Sequence, residues 1–148
     1  MEKFRDFALK YLKIAEKDFE RAKRNLDYAD YEAVTFYAQQ CVEKSVKSML
    51  ELHGVFIKEH EISNEFALLA KKEKFDEKFS RRILAALEFF KLDWSRTRYP
   101  FIIKGKVTSP DEYYEEEKAQ QAIKIAEEIL NLLKSRLDRL QGSNTKNS

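Results

Sequence analysis

The sequence predicts an all-α protein, and three observations carry that prediction. Only three glycines and two prolines occur in 148 residues, and all five lie where a helix can begin or end. Between them, apolar residues recur at three- and four-residue spacing, and no stretch alternates over a useful strand length. The connections are short, so we predict an antiparallel up-and-down bundle of four long helices plus one short helix.

The first predicted helix covers Lys3–Asp27 and ends in a polar break at which Asp30 can cap the next helix. Its large apolar and small residues form a stripe that we expect to face the core. That stripe comprises Phe4, Phe7, Tyr11, Ile14, Ala15, Phe19, Ala22 and Leu26.

The second predicted helix covers Tyr31–His53 and is closed by Gly54. One broad apolar stripe predicts a buried face, formed by Val34, Ala38, Cys41, Val42, Ser45, Val46, Met49 and Leu52. The other flank carries Gln40, Glu43, Lys44, Lys47 and Glu51. Within it, Glu43 and Lys47, and Lys47 and Glu51, have opposite charges one turn apart, which is typical of a solvated face.

Two further helices follow. Ser63 can cap a short helix that ends at Lys72, and Asp76 can cap a fourth helix. The fourth ends near Tyr99, because the residue before Pro100 is disfavoured in a helix. Its inward stripe is Phe79, Ile83, Leu87, Phe90 and Trp94.

The chain from Tyr99 to Ser109 is predicted to be an irregular loop, and its apolar residues 101–103 fold onto the bundle or form a contact surface. Ser109 then caps the last helix, with proline next and Glu112 three residues on. Its inward stripe is Ala119, Ala122, Ala126, Ile129, Leu133, Leu137 and Leu140. Gly142 suits its end, which predicts one domain over residues 1–141 and a polar, mobile tail over 142–148.

Composition excludes several classes of function. A net charge of +2 does not indicate a general nucleic-acid binder, and one cysteine permits no internal disulfide. Neither histidine has a glutamate three positions before it, and no two glycines lie close together, so we expect no metal site and no cofactor. Without a signal peptide or an apolar run long enough to span a bilayer, the expected location is the cytoplasm, with no membrane contact.

The strongest local charge feature is a basic stretch containing Arg96, Arg98, Lys104 and Lys106, which has aromatic residues interleaved and no acid between its ends. Such a loop can bind a nucleotide or a single strand through phosphate contacts and stacking. In the alternative interpretation the arginines pair with acids on other helices and the aromatic residues are core. His60, between two glutamates, is expected to make an orienting or capping hydrogen bond.

Residues 36–50, FYAQQCVEKSVKSML, resemble the HEPN family of small archaeal and bacterial helical domains. They match the family's pattern of an aromatic residue, Ala-Gln-Gln, Glu-Lys, two residues, Lys and then apolar residues. His60 is similar to the family's histidine before the next helix, and Arg98-Tyr99-Pro100 is similar to a motif of one branch. The resemblance covers most of residues 1–137.

The resemblance implies a dimerising bundle that binds nucleotides, partners a minimal nucleotidyltransferase in toxin–antitoxin pairs, or cleaves RNA without metal. The cleaving members carry an arginine, four to six residues and a histidine, and no arginine here is followed by a histidine at that spacing. We therefore expect a non-catalytic homodimer that binds a nucleotide or RNA phosphate. The expected ligand-binding residues are Arg96, Arg98 and Lys104 for phosphate, Tyr99 for stacking, and Lys44, Lys47 and His60 as secondary contacts.

Three alternatives stay open. Lys44 and Lys47 could be solvated charges paired with Glu43 and Glu51. The protein could be a ribonuclease without the usual motif, in which Arg96 or Arg98 stabilises the phosphorane and Glu43 or His60 moves protons. It could also be a purely structural interaction domain whose residues 101–103 bind a partner.

Overall fold

A computed structural model describes residues 2–146, with side chains described through residue 140, and it is a helical bundle with one small hairpin. The elements are α1 (Glu2–Asp27), α2 (Tyr31–Leu52), α3 (Ser63–Lys72), α4 (Glu77–Phe89), α5 (Asp93–Arg96), β1 (Phe101–Ile103), β2 (Lys106–Thr108), α6 (Pro110–Tyr113) and α7 (Glu116–Lys146). The predicted all-α class is confirmed. None of the helices described is both long and apolar enough to cross a membrane.

Helix α2 lies at the centre and contacts each of the other six helices. No residue between Val34 and Glu51 is exposed, and the predicted apolar stripe from Val34 to Met49 is fully buried. The prediction of a solvated flank was wrong, because Glu43, Lys47 and Glu51 are only 3%, 6% and 6% exposed. Packing of neighbouring segments over this flank, which helix periodicity does not report, removes it from water.

The inward face of α1 differs from the predicted stripe. Phe7 and Ile14 are 52% and 43% exposed, whereas Ala8 and Leu12 are buried. Apolar residues occupy two adjacent faces of this helix, and the buried face is the one that carries Ala8, Ala15 and Ala22. Leu140, also predicted to face inward, is 38% exposed.

The predicted fourth helix is interrupted. Asp76 caps α4 as expected, because its carboxylate accepts a hydrogen bond from the Phe79 N–H at 3.2 Å. However, α4 ends at Phe89, and the separate turn α5 begins at Asp93. Phe90 and Trp94 keep the four-residue spacing across this break, so periodicity alone could not detect it.

The other predicted caps are less accurate. Asp30 occupies the N-cap position of α2, but its side chain makes no capping hydrogen bond. The N-cap of α3 is Ile62 rather than Ser63, which is the first helical residue. The Ser63 N–H donates instead to the Glu61 carboxylate at 3.1 Å, so a side chain before the helix satisfies this donor.

The predicted irregular loop is a β-hairpin in which β1 and β2 pair antiparallel. Lys104 and Gly105 form a two-residue turn with positive φ angles of 50° and 74°, which type I′ turns require. Strand alternation directs Phe101 and Thr108 toward the bundle, whereas Ile102 and Val107 form a cross-strand pair and are each 68% exposed. The apolar segment 101–103 thus both folds onto the bundle and presents one side chain outward.

The start signal of the last helix is correct, but the helix it starts is short. The Glu112 carboxylate accepts from the Ser109 N–H at 3.3 Å, which is one half of a capping box. Tyr114 is extended, and α7 begins only at Glu116. It continues through Gly142 to Lys146, so the predicted end was wrong. The boundary between residues 1–141 and a tail of 142–148 stays a prediction; 147 and 148 lie outside the described residues.

Glu51 is buried on α2, and one of its carboxylate oxygens lacks a hydrogen-bond partner among the described side chains. Burial raises its pKa, and the nearby Lys47 ammonium opposes that rise. A raised folded-state pKa favours folding below the unfolded pKa, and this contribution is lost as pH rises through the folded pKa. We therefore expect Glu51→Gln to raise the free energy of unfolding by about 1 kcal/mol at neutral pH, measured by urea denaturation.

The gain should shrink toward zero below about pH 4, where the carboxyl group is protonated in both states. Glu88→Gln on the exposed surface of α4 is the control and should show no such pH-dependent gain. If Glu51→Gln destabilised the protein at neutral pH, the carboxylate would be net favourable in its buried position.

Candidate functional site

A row of polar side chains at four-residue spacing lies along one face of α2 and centres on Glu43. Gln39 Nε2 donates to Glu43 Oε1 at 3.1 Å, and Lys47 Nζ donates to Oε2 at 3.2 Å. The side chains of Glu43 and Lys47 are only 4% and 8% exposed. The ion pair is therefore buried, and its strength depends on all of its partners being present.

His60 completes the partners of Glu43 from the segment that joins α2 to α3. Its Nδ1 lies 3.0 and 3.1 Å from the two carboxylate oxygens. Nδ1 must donate in this arrangement, so in the neutral ring Nε2 is free to accept a proton. The imidazole also stacks on Trp94, with ring centroids 4.3 Å apart. Its side chain is 42% exposed, so this ring links the buried carboxylate to the surface.

Trp94 also holds Arg98. Arg98 Nε donates to the Trp94 carbonyl at 3.0 Å, and the guanidinium lies 4.8 Å from the Trp94 ring centroid. The rings of Phe36 and Tyr99 are 5.1 and 5.2 Å from the same guanidinium. Within the side chains described, Arg98 forms no ion pair. Its two terminal nitrogens are therefore available to an anion.

The rest of the predicted basic loop does not gather beside Arg98. The half-buried Arg96 guanidinium lies over Phe101 at 4.8 Å and near Tyr113 at 5.9 Å, under the hairpin. Lys104 is exposed in the hairpin turn. Tyr99 is 53% exposed beside Arg98. Arg98 and Tyr99 are thus the two loop residues that the structure brings together.

The predicted secondary lysines have structural partners. Lys44 Nζ donates to Asp18 Oδ2 at 2.7 Å and to Gln40 at 3.0 Å, which ties α2 to α1. The Asp18 side chain is only 4% exposed. Lys47 pairs with Glu43, as the alternative supposed, but the pair is buried rather than solvated. Lys44 pairs with Asp18 instead of Glu43 or Glu51. Cys41, predicted to be core, is fully buried, and burial raises the pKa of its thiol to about 12.

A cleft of about 390 Å³ opens where α2, α4, α5 and the segment before α3 meet. Its floor is apolar, and His60 and Trp94 form its wall. Acidic and basic side chains stand at its rim. The lining residues are Gln39, Val42, Glu43, Glu59, His60, Glu61, Ile62, Leu87, Phe90, Lys91 and Trp94. Its size is in the range of small-molecule sites.

A second buried cluster fixes α5 in place. Tyr114 Oη donates to Asp93 Oδ1 at 2.6 Å, and Lys118 Nζ lies 3.7 Å from the same oxygen. Asp93 is 2% exposed, and burial together with this hydrogen bond raises the pKa of Tyr114. Because Asp93 directly precedes Trp94, this contact to the start of α7 holds the tryptophan against His60.

Sequence reasoning missed the connecting role of two residues. Trp94 was predicted to be inward-facing or an interleaved aromatic, and Glu43 was predicted to be a surface charge or, in the alternative nuclease, a proton carrier. Glu43 lies 17 residues before His60, and no local spacing predicts that their side chains meet. The run of Gln39, Glu43, Lys47 and Glu51 was the available signal, because an unbroken polar row on a central helix needs internal partners.

The model of the HEPN domain family matches residues 8–136. The chain belongs to the HEPN family. The predicted resemblance is therefore confirmed over most of the chain. A relative from Methanocaldococcus jannaschii, MJ1304, is described as a candidate toxin. It is 32% identical over 139 residues, which cover 92% of this chain and 91% of the relative.

Solved structures share this fold. ST0689, an archaeal HEPN homologue, has a TM-score of 0.67 and 30% sequence identity over 88% of this chain and 97% of its own. TT1696 from Thermus thermophilus has a TM-score of 0.70, covering 86% of this chain and 96% of its own. At 23% identity, the latter likeness supports the fold alone.

Proposed function

We propose that this HEPN protein is a non-catalytic, homodimeric binding module for a nucleotide or an RNA phosphate, and that it partners a minimal nucleotidyltransferase in a toxin–antitoxin pair. The observation that carries the binding proposal is the position of Arg98. Its guanidinium is held on Trp94 beside the cleft, with no acidic partner among the described residues.

Arg98 is prepared to bind phosphate because, among the described residues, its guanidinium makes a hydrogen bond only through Nε. Stacking on aromatic rings restricts the side chain, so less conformational entropy is lost when an anion binds. Its terminal nitrogens can then form a charge-assisted, bidentate contact with phosphate. The acidic rim of the cleft repels phosphate, so the nucleoside would enter the cleft while the phosphate remains at Arg98.

Arg98→Ala tests this assignment. We expect it to weaken binding of short RNA and of nucleoside monophosphates about tenfold, because hydrogen bonds to a charged group are lost. Binding would be measured by isothermal titration calorimetry. Arg81→Ala, which removes a 77% exposed arginine from α4, is the matched control and should leave affinity unchanged. Unchanged affinity of Arg98→Ala would place the phosphate elsewhere.

An exposed apolar surface on α1 supports the homodimer. Phe7 is 52% exposed, Ile14 lies on the same helix face, and Phe7 packs edge-to-face against Phe56, which is 60% exposed. A second copy would cover these side chains. Phe7→Asp with Ile14→Asp should then give a monomer in sedimentation-velocity experiments. The pairing with a nucleotidyltransferase rests on the family and on the toxin-like description of MJ1304.

A ribonuclease is the second candidate, favoured by the Glu43–His60 contact. Glu43 orients the imidazole through Nδ1, so Nε2 could take a proton from a ribose hydroxyl while Arg98 stabilises charge on the phosphorane. Cleavage of RNA by the wild type in EDTA, lost in His60→Gln, would support this activity. RNA left intact by the wild type, alone and with its partner, would remove it.

A further inference from the structure

Resting on the proposed nucleotide site, we propose that the cleft selects guanine over the other bases. The carboxylates of Glu59 and Glu61 would accept hydrogen bonds from the guanine N1–H and 2-amino group. Lys91 on the same rim would donate to guanine O6. Arg98, beside the cleft, would hold the phosphate. These groups are singled out because, among the described residues, none of them forms an ion pair, and only one oxygen of Glu61 accepts a hydrogen bond.

The buried polar atoms of the cleft are already used. Gln39 donates to Glu43 and accepts from Gln40 at 2.7 Å. The Glu43 carboxylate accepts from Gln39, Lys47 and His60. A ligand in the cleft must therefore find its hydrogen-bond partners at the rim, where carboxylates predominate.

Among the described residues, the free groups at the rim are two carboxylates, one ammonium and His60 Nε2, which is an acceptor in the neutral ring. Glu59 and Lys91 are exposed and form no ion pair among the described side chains. Glu61 is oriented, because its Oε1 accepts from the Ser63 N–H at 3.1 Å, which leaves Oε2 to a ligand. The rim thus offers mainly acceptors, and the preferred ligand edge must present adjacent donors.

Guanine is the base whose edge matches that demand. Its N1–H and 2-amino group are adjacent donors that can face the free oxygens of Glu59 and Glu61, and its O6 is an acceptor for Lys91. Adenine and cytosine place an unprotonated ring nitrogen beside their amino group, which a carboxylate repels. Uracil has one N–H between two carbonyl oxygens. The apolar floor of Val42, Ile62, Leu87 and Phe90 suits a flat ring rather than a charged chain.

A polyamine would also be attracted by an acidic rim, but Lys91 and Arg98 beside the cleft disfavour a ligand with several positive charges. Phosphate is disfavoured at the same rim by Glu59 and Glu61. The negative rim and the positive Arg98 therefore favour one orientation of the nucleotide, in which the neutral base lies inside the cleft and the phosphate lies at Arg98.

The test is a titration of the full chain with GMP, IMP, AMP, CMP and UMP. Trp94 is the single tryptophan and forms part of the cleft wall, so its fluorescence reports occupancy directly, with calorimetry as the second measurement. We expect GMP to bind about tenfold more tightly than AMP, CMP or UMP, which corresponds to one bidentate base contact. IMP, which lacks the 2-amino group, should fall between GMP and AMP.

Glu59→Gln and Glu61→Gln, separately and together, should reduce the preference for GMP, while Glu88→Gln, outside the cleft lining, should keep it. Equal binding of all five nucleotides, a preference for another base, or an undiminished preference in the double variant would each overturn guanine selection. In those cases a loss of nucleotide affinity in Arg98→Ala would still support the phosphate site. If no nucleotide binds to the wild type, the nucleotide site and the base selection both fail.

Discussion

Replacing Glu43 with alanine is expected to lower the free energy of unfolding by about 3–5 kcal/mol, because it leaves a buried charge without its partner. Lys47 Nζ lies 3.2 Å from the Glu43 carboxylate, and its side chain is only 8% exposed. Gln39 and His60 lose the same acceptor. Urea denaturation followed by circular dichroism measures the change.

Glu77→Ala is the matched control, since Glu77 and Arg81 form an ion pair at the same four-residue spacing on α4 but are 76% and 77% exposed. It should cost less than about 0.5 kcal/mol. Replacing Glu43 and Lys47 together by Leu and Met should recover much of the stability when Glu51→Gln is also made, because no unpaired charge of this row then remains. An equal cost for Glu43→Ala and Glu77→Ala would mean that water reaches the α2 pair.

Phe66→Ala is expected to lower the free energy of unfolding by about 3–5 kcal/mol, because it removes a buried aromatic side chain. Phe66 is fully buried, and its ring lies 6.2 Å from Phe75 and 6.5 Å from Phe79. It therefore joins α3 to α4. Chemical denaturation measures the loss, and calorimetric titration of a nucleotide shows whether the cleft is disturbed as well.

Leu68→Ala on the same helix provides the comparison, because Leu68 is 70% exposed. We expect its effect to stay within about 0.5 kcal/mol. A loss at Leu68 comparable to that at Phe66 would show that the outer face of α3 is covered in solution, as an interface between copies or with a partner would require.

The predictable part of the fold was set by local chemistry. Asp27 ends α1, Asp76 caps α4, and the Ser109 signal starts a helix, because each depends on residues within one turn. The hairpin was missed because its strands have only three residues each, too few for alternation to be visible. The position of Phe7 was predicted wrongly because a hydrophobic stripe is assigned from the largest apolar side chains, whereas the buried face of α1 includes small residues such as Ala8.

The candidate site was only partly predictable, because its contacts join distant segments. Arg98 and His60 were identified from local charge and family pattern, but their link through Trp94 depends on how α5 is set against the start of α3. The charges of Glu43 and Lys47 indicated a solvated surface, since helix periodicity contains no information on what covers the other side.

The central position of α2 has a consequence for how the protein opens. Because α2 contacts every other helix, its amides can be exposed only when most of the bundle separates. Amide hydrogens of Val42 to Leu50 should therefore exchange with solvent at rates that report the global free energy of unfolding. The two strands of the hairpin pair with no third strand among the described residues, so their amides should exchange through smaller local fluctuations. The bundle is expected to behave as one cooperative unit organised around a single helix.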